Sequence, residues 1–453
     1  MPARFRVPLL HWLSDGLLRR VFRNAGLLAG GQVLAGLLTL VAISVAARVL
    51  GAEMFGVLVL IHAYALLMGN LTGFKAWRAV IRYGAICIQE DRRDDLRGLI
   101  GLVVLLDAAG ATVGVLAAVL GLPWLAPWLG WPDEAVRLGQ WYCLVILFLN
   151  TGTPTGILRL FDRFGLSALQ KLVHPTVCLI GALLAYATAA DYRAFAAIWF
   201  TAALIDGVTI WALGWRELAR RGYGAGLRAP LRGLARPHSG FWRLIWATHL
   251  DSSLGAVSGR VSTLIIGALL GPAAAGLFQI AVRFSSALER PVEMLRRSIY
   301  PEFAKLHAAG DAGALRRLAV RAALIVGCAA APILLGVAAF GEPLLRLTVG
   351  DAFIGAHDVL VLLIAALAIG TFGFPVGSLL VAQGRSGVLL AVNLIAALLY
   401  VALLVLLLGP IGLAGAGIAA VVKGTGTVLA TGTIAIRGLG PVIGSTDRTA
   451  PAR

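Results

Sequence analysis

The chain has 453 residues, of which 59% are hydrophobic and only 13% are charged. An ordinary soluble domain carries about 25% charged residues, and a mean hydropathy of +0.88 exceeds what one soluble core of this length can bury. The net charge of +17 would suggest a nucleic-acid partner in a soluble protein. Here the basic residues lie in short segments between apolar runs, so we expect no nucleic-acid partner. Composition therefore indicates an all-α polytopic membrane protein.

The first segment, residues 1–24, is basic and amphipathic and has no small-residue cleavage site, so we interpret it as a cytoplasmic interfacial segment. Crossing a bilayer takes about 20 apolar helical residues. Twelve runs of this kind follow, at roughly 25–48, 54–74, 98–120, 138–158, 171–190, 194–214, 243–270, 274–297, 320–343, 358–382, 388–408 and 412–436. We therefore predict twelve transmembrane helices.

The distribution of Lys and Arg predicts the orientation of these spans. Of the 39 basic residues, 31 fall in segments on one side and four on the other. Short cytoplasmic loops carry the excess of Lys and Arg in membrane proteins. We expect both termini to face the cytoplasm, including the tail at 437–453.

The turn after the first span recurs after the seventh. Gly51 and Gly56 in "VLGAEMFGV" match Gly271 and Gly276 in "LLGPAAAGL", at an offset of 220 residues. Six spans separate the two copies, and an even number predicts a parallel repeat with a central cavity between the halves. We expect a six-helix lobe at 25–215, a basic linker at 216–242 and a second six-helix lobe at 243–436.

Motifs of enzymatic or metal chemistry are missing from the sequence. The four cysteines lie far apart, the histidines show no ligand spacing, and no GxxxxGK[ST] phosphate-binding loop occurs. No loop is long enough for a folded catalytic domain. We therefore expect a protein that is not an enzyme and that uses no metal and no cofactor.

Three segments resemble the bacterial polysaccharide flippases of the multidrug/oligosaccharidyl-lipid/polysaccharide exporter superfamily. They are "GLLAGGQVLAGLLTLVAISVAARVLGAEMFG" (26–56), "LLGPAAAGLFQIAVRFSSALERPVEMLRRSIYPEFAKL" (269–306) and "AQGRSG" (382–387). The resemblance implies a V-shaped transporter that moves undecaprenyl-diphosphate-linked oligosaccharide to the periplasmic leaflet of the inner membrane. It also implies membrane lipids and a polysaccharide polymerase or export machinery as partners. Many relatives carry an acidic residue near the end of span seven, where this chain has Arg260.

Charged residues at bilayer depth are costly and are candidates for function. Arg283 lies about 18 Å into the eighth span. We predict an anion cavity lined by arginines, because arginine stays charged and binds phosphate oxygens in pairs. Its members are Arg78, Arg82, Arg260, Arg283, Arg290 and Arg297. A second set is assigned to interhelical pairing or coupling: Asp107, Asp206, Asp251 and Lys423.

Several alternatives remain open at this stage. A cation-coupled multidrug exporter would share the fold, but it would need carboxylates and aromatics in the cavity. A membrane glycosyltransferase, ligase or polymerase would need an external domain. The tryptophans of segment 121–142 fit either an interfacial aromatic belt or a platform for sugars. "NTGTPTG" (150–156) is the expected site of a helix kink.

Overall fold

The computed structural model describes residues 16–224, 240–289, 312–382 and 386–438. Arg290 and Arg297 of the predicted anion cavity lie outside these ranges. The described residues are almost entirely helical and include no β-strand. The chain divides into two compact units, Met1–Gln279 with Thr348–Phe353 and Ile280–Leu347 with Ile354–Arg453.

The first half of the chain forms eight helical pieces. In order they are α1 (Gly16–Thr72), α2 (Trp77–Gln89), α3 (Arg93–Leu129), α4 (Asp133–Tyr142), α5 (Ile146–Leu149), α6 (Gly152–Leu160), α7 (Phe164–Ala187) and α8 (Tyr192–Arg220). A short 3₁₀ turn joins α4 to α5, so α4–α6 make up one interrupted span.

The second half contains α9 (Phe241–Leu270), α10 (272–289), α11 (Ala312–Thr348), α12 (His357–Ala382), α13 (Ser386–Ile411) and α14 (Ala414–Gly438). Nine helical segments within the described ranges are long and apolar enough to cross a membrane. One of them, Gly30–Gln89, is divided at Gly51. Together with α9 and α10, these segments are consistent with the predicted twelve spans.

The internal repeat extends through both halves. Gly51 has φ 67° and ψ 176°, and Gly271 has φ 88° and ψ 172°, so both turns use the same left-handed conformation that favours glycine. Helices α11, α13 and α14 begin and end within four residues of a 220-residue offset from α3, α7 and α8. The repeat predicted from one glycine motif is therefore confirmed over whole helices.

The two copies of this turn pack closely on each other. A Cβ on Gly56 would overlap the Pro272 carbonyl group, and one on Gly276 would lie 2.7 Å from the Ala52 oxygen. Only glycine permits this approach of two backbones, as expected for small residues at helix contacts.

One sequence expectation needs correction. The apolar runs at 54–74 and 98–120 leave residues 75–97 between the second and third spans, but most of this segment is helical. α2 forms there and packs against α3 and α6, burying Ala79, Val80, Tyr83, Gly84 and Cys87. The α2 helix is short, with arginines on its other face, so it lacks the apolar length that identifies a span.

Helix α3 is a long helix in the first unit. It starts with Asp94 and Asp95 in its first turn, where acidic residues favour the helix dipole, and ends at Gly130 with φ 64°. Its 37 residues extend about 55 Å, longer than a bilayer core of about 30 Å. α2 and α6 pack beside it around a core that includes Val80, Ile100, Val103, Ile157, Leu218, Phe241 and Ile245.

In the second unit, α12, α13 and α14 pack together. Gly417 faces Leu362, Gly373 faces Val428, and a Cβ on Gly424 would lie 3.3 Å from the Ala366 oxygen. Small residues therefore let α14 approach α12 closely along its length.

Candidate functional site

Two spans of the first unit are interrupted. The second span stops at Thr72 and resumes as α2 at Trp77, and the fourth stops at Leu149 and resumes as α6 at Gly152. The break in the fourth span confirms the kink predicted within 150–156. Discontinuous helices inside transporters free backbone groups that line binding sites.

α2 and α6 run in parallel from these breaks. Gly156 packs against Trp77 and Val80, and Gly84 packs against Leu160. Their N-termini therefore face the same region, and each carries the partial positive charge of a helix start.

Asp107 of α3 occupies this region and is only 2% exposed. Its Oδ2 accepts hydrogen bonds from the Thr153 amide at 2.8 Å and from the Thr153 hydroxyl at 2.7 Å. Asp107 thus caps the N-terminus of α6 from a neighbouring helix. Asn150 Nδ2 donates to the Asp107 carbonyl oxygen at 2.9 Å, which ties the break to α3 a second time.

The break in the second span is held from α9. Ser253 Oγ donates to the Asn70 carbonyl oxygen at 3.0 Å, and His249 Nδ1 lies 3.3 Å from the Gly73 carbonyl oxygen. The carbonyls that the interrupted helix frees are therefore partly satisfied by polar side chains.

Oxygen atoms converge on one face of Gly152. A Cβ built there would lie 3.2 Å from Asp107 Oδ1, 3.3 Å from Asp107 Oδ2 and 3.4 Å from the Phe74 carbonyl oxygen. Oδ1 is buried, and no described residue donates a hydrogen bond to it or to the Phe74 carbonyl. A buried carboxylate oxygen without a donor, such as Asp107 Oδ1, is rare and requires an explanation.

Lys75 is the charged residue that acts on Asp107. It lies in the break before α2 and interacts with the carboxylate electrostatically. It forms no ion pair within 4.0 Å with any residue in the described ranges. Lys75 therefore offsets part of the Asp107 charge without occupying its free oxygen.

The predicted basic residues of α2 lie on its exposed face. The Arg78 guanidinium is 5.3 Å from the Trp77 ring centroid, and Arg82 is 5.7 Å from that of Tyr83. Arg159 of α6 was not predicted as a site residue, and its guanidinium lies 4.3 Å from the ring centroid of Trp77 in α2. α2 and α6 thus share a surface on which arginines stack on aromatic rings.

The other two predicted arginines in the described ranges are half-buried. Arg260 lies in α9 and Arg283 in α10. Each helix rises about 1.5 Å per residue, which puts each arginine roughly 15–18 Å along its own helix from the turn at Gly271. Both arginines therefore lie well inside apolar helices.

The remaining polar candidates fall in separate places. Gln170 Nε2 of α7 donates to Asp206 Oδ1 of α8 at 2.7 Å. Lys423 Nζ of α14 lies 5.2 Å from the Tyr400 ring of α13 and interacts electrostatically with Glu289. Asp251 lies in α9, but its side chain is outside what the structure describes.

Lys75, Asn150 and Thr153 belong to the Asp107 cluster but were not selected from the sequence as site residues. The spacing of Lys75, Arg78 and Arg82 would place all three on one face of a helix, but Lys75 precedes α2. The signal in the sequence was the segment "NTGTPTG", whose amide and hydroxyl side chains are typical partners of freed backbone groups.

Comparison with known proteins places these features in context. The family model described as "Polysaccharide biosynthesis protein" matches residues 21–307. The chain is 32% identical over 350 residues to the inner membrane protein YghQ of Escherichia coli (strain K12), covering 77% of this chain and 98% of that protein. It is 27% identical over 164 residues to the lipopolysaccharide biosynthesis protein WzxC of the same strain, covering 36% of this chain and 32% of that protein.

Solved structures share the fold. An inward-facing multidrug resistance transporter of the MATE family, in the MOP superfamily, aligns with a TM-score of 0.72 at 15% identity, over 89% of this chain and 94% of that one. The lipid II flippase MurJ in an inward closed conformation aligns with a TM-score of 0.69 at 14% identity, over 91% and 87%. The predicted all-α polytopic fold is confirmed, and the twelve-span count is consistent with it.

Proposed function

The chain belongs to the polysaccharide biosynthesis protein family, and from this premise we propose that it is a lipid-linked oligosaccharide flippase. It would move undecaprenyl-diphosphate-linked oligosaccharide from the cytoplasmic to the periplasmic leaflet by alternating access. The product would supply a cell-surface polysaccharide: lipopolysaccharide O-antigen, capsule or exopolysaccharide. Relatives named as an inner membrane protein and a lipopolysaccharide biosynthesis protein support this assignment and an inner-membrane location.

Two half-buried arginines inside apolar helices, Arg260 and Arg283, support an anionic substrate. A cation at this depth is costly unless an anion or water compensates it. A lipid diphosphate is such an anion, and guanidinium groups bind its oxygens in pairs. The polyprenyl tail can stay in lipid while the charged headgroup meets the arginines.

The inside-negative membrane potential favours outward movement of this anion, by about 2.3 kcal/mol per charge per 100 mV. No nucleotide-binding loop occurs in the sequence, so the transport energy would come from the potential, an ion gradient or removal of the product. A polysaccharide polymerase or export machinery would consume the product on the outer side.

Purified protein in proteoliposomes tests the proposal against the drug-exporter alternative. A fluorescent polyprenyl-diphosphate-linked oligosaccharide is followed with an impermeant quencher, and ethidium uptake is measured in parallel. Protein-dependent leaflet exchange of the lipid supports the flippase. Ethidium transport without lipid exchange would move the protein to the drug exporters of the superfamily.

A further inference from the structure

We infer that Asp107, together with the Phe74 carbonyl and Gly152, forms a proton-binding site between the two helix breaks. This inference deepens the proposed function by assigning a coupling ligand to the region between the two helix breaks of the first unit. It depends on the proposed function only for its consequence in transport.

The hydrogen bonds of the Asp107 carboxylate leave one of its two oxygens without a donor among the described residues. Oδ2 accepts two hydrogen bonds from Thr153, whereas Oδ1 and the nearby Phe74 carbonyl receive none from the described residues. Both atoms are acceptors and both lie within 3.4 Å of the same point above Gly152. One proton on Oδ1 would convert this buried acceptor to a donor, and the Phe74 carbonyl oxygen beside the same point is an acceptor for it.

The internal repeat allows the Asp107 position to be compared with the equivalent position in the second half of the chain. At the 220-residue offset, Asp107 corresponds to Gly327 and Gly152 corresponds to Phe372. In the second unit, the Phe372 ring packs against Gly327, and α12 runs without a break through this position. The second repeat therefore builds the same helix pair with an apolar contact, so the fold itself does not require a buried acid there.

The surroundings of Asp107 bear on which cation fits. The charged group facing Asp107 is Lys75, and His249 of α9 approaches the same break through the Gly73 carbonyl. Lys75 already offsets the carboxylate, and a proton needs no further oxygen ligands. These features favour a proton over sodium.

Protonation would act on the fourth span. The ionised carboxylate caps α6 through the Thr153 amide and hydroxyl, and its charge favours the positive N-terminus of that helix. When the carboxylate takes up a proton, its charge is lost and the cap weakens. α6, the part of the fourth span after the break, then becomes freer to move. Proton binding is thereby linked to a conformational change.

The direct test is infrared difference spectroscopy of the full-length protein in lipid, between acidic and alkaline pH. We expect the carbonyl stretch of a protonated carboxylic acid to appear in the wild type and to be lost in Asp107→Asn. Asparagine can accept from Thr153 and donate to the Phe74 carbonyl, so this variant mimics the protonated state and should fold. Asp94→Asn, an exposed change on the same helix, should keep the band.

A second variant tests the position of the proton. Gly152→Ala places a methyl group 3.2–3.4 Å from the three oxygens, whereas Gly98→Ala on α3 meets no atom within 4 Å. We expect Gly152→Ala to shift or remove the band and Gly98→Ala to leave it unchanged. A band in Gly152→Ala identical to that of the wild type would contradict the placement between Asp107 and Phe74.

Transport provides the functional arm. An imposed pH gradient should change the rate of lipid exchange in the wild type and in Asp94→Asn, but not in Asp107→Asn. Persistence of the band in Asp107→Asn would overturn the site, and a spectrum that responds to sodium but not to pH would overturn its assignment to a proton. If the wild type moved no lipid, the proposed function would fail while the spectra still decided the proton site.

Discussion

At the scale of single residues, buried charges are of two kinds, those held by partners within the chain and those that we propose to bind a ligand. Glu217 belongs to the first kind. It is 2% exposed, forms an ion pair with Arg163 at 3.0 Å and accepts a hydrogen bond from Arg221 at 2.8 Å, at the end of α8. This carboxylate links the end of α8 to the turn between α6 and α7.

We expect Glu217→Gln to lower the free energy of unfolding by about 2 kcal/mol, because it leaves two arginines facing an uncharged group. The partners are partly exposed, which keeps the loss below that of a fully buried pair. Thermal unfolding in detergent measures it. Glu90→Gln removes an exposed pair with Arg92 and should change stability by less than about 0.5 kcal/mol; equal effects of the two changes would contradict the argument.

Arg283 and Arg260 are of the second kind under the proposed function. Each Arg→Ala change should weaken binding of the lipid diphosphate by about 10- to 100-fold, since a charge-assisted hydrogen bond contributes about 1.5–3 kcal/mol. Membrane expression should stay normal. Titration of the lipid into each variant measures this effect. Arg220→Ala, an exposed change at the end of α8, is the control. Unchanged affinity in both test variants would refute an arginine-lined anion site.

How far the sequence could predict this site depends on the kind of contact. Asp107 was identified as an intramembrane charge because one residue in an apolar run is visible in the sequence. Its partner Thr153 lies 46 positions away, and no periodicity links the two. The spacing of Lys75 from Arg78 is that of a helical face, but the chain between Thr72 and Trp77 is not helical. Helix breaks and the contacts made across them arise from packing.

At the scale of elements, the sequence predicted the spans and the repeat well because both depend on local pattern. Apolar length identifies a transmembrane helix, and a glycine with positive φ recurs where the chain must turn. α2 was missed because it is short and amphipathic, with its arginines at one exposed face. Apolar length alone does not distinguish such a helix from a charged loop.

The glycine contact between the two repeats yields a prediction at this scale. Gly56→Val should destabilise the protein by about 1–3 kcal/mol, because its side chain would overlap the Pro272 carbonyl group. Gly30→Val on the same helix, where a Cβ meets no atom within 4 Å, is the matched control. Thermal unfolding compares the two variants. Equal melting temperatures would show that the repeats are not in close contact.

Two of the four tryptophans of segment 121–142 continue the outer face of α3. Exposed apolar residues recur along this helix at helical spacing, in the order Val113, Leu116, Leu120, Trp124 and Trp128. A face that is apolar along its whole length and ends in tryptophan is typical of a lipid-facing surface with an interfacial belt. This pattern favours the belt over the sugar platform.

At the scale of the whole molecule, the orientation remains a prediction from the distribution of Lys and Arg. A green fluorescent protein fused to the C-terminus should fluoresce, and alkaline phosphatase fused there should be inactive, because both termini are expected in the cytoplasm. Phosphatase inserted into segment 121–142 should be active. The reverse pattern would show that the chain inserts the other way and that α2 and its arginines face the periplasm.

The measurement that tests the central claim most directly is the rate of lipid exchange under a defined membrane potential. Proteoliposomes carry a fluorescent polyprenyl-diphosphate-linked oligosaccharide, a potassium gradient with valinomycin sets the potential, and an impermeant quencher reports the outer leaflet. We expect faster outward movement of the lipid-linked oligosaccharide when the interior is negative. This movement should be lost in Arg283→Ala but not in Arg220→Ala. Lipid exchange no faster than in protein-free liposomes at any potential would contradict this expectation.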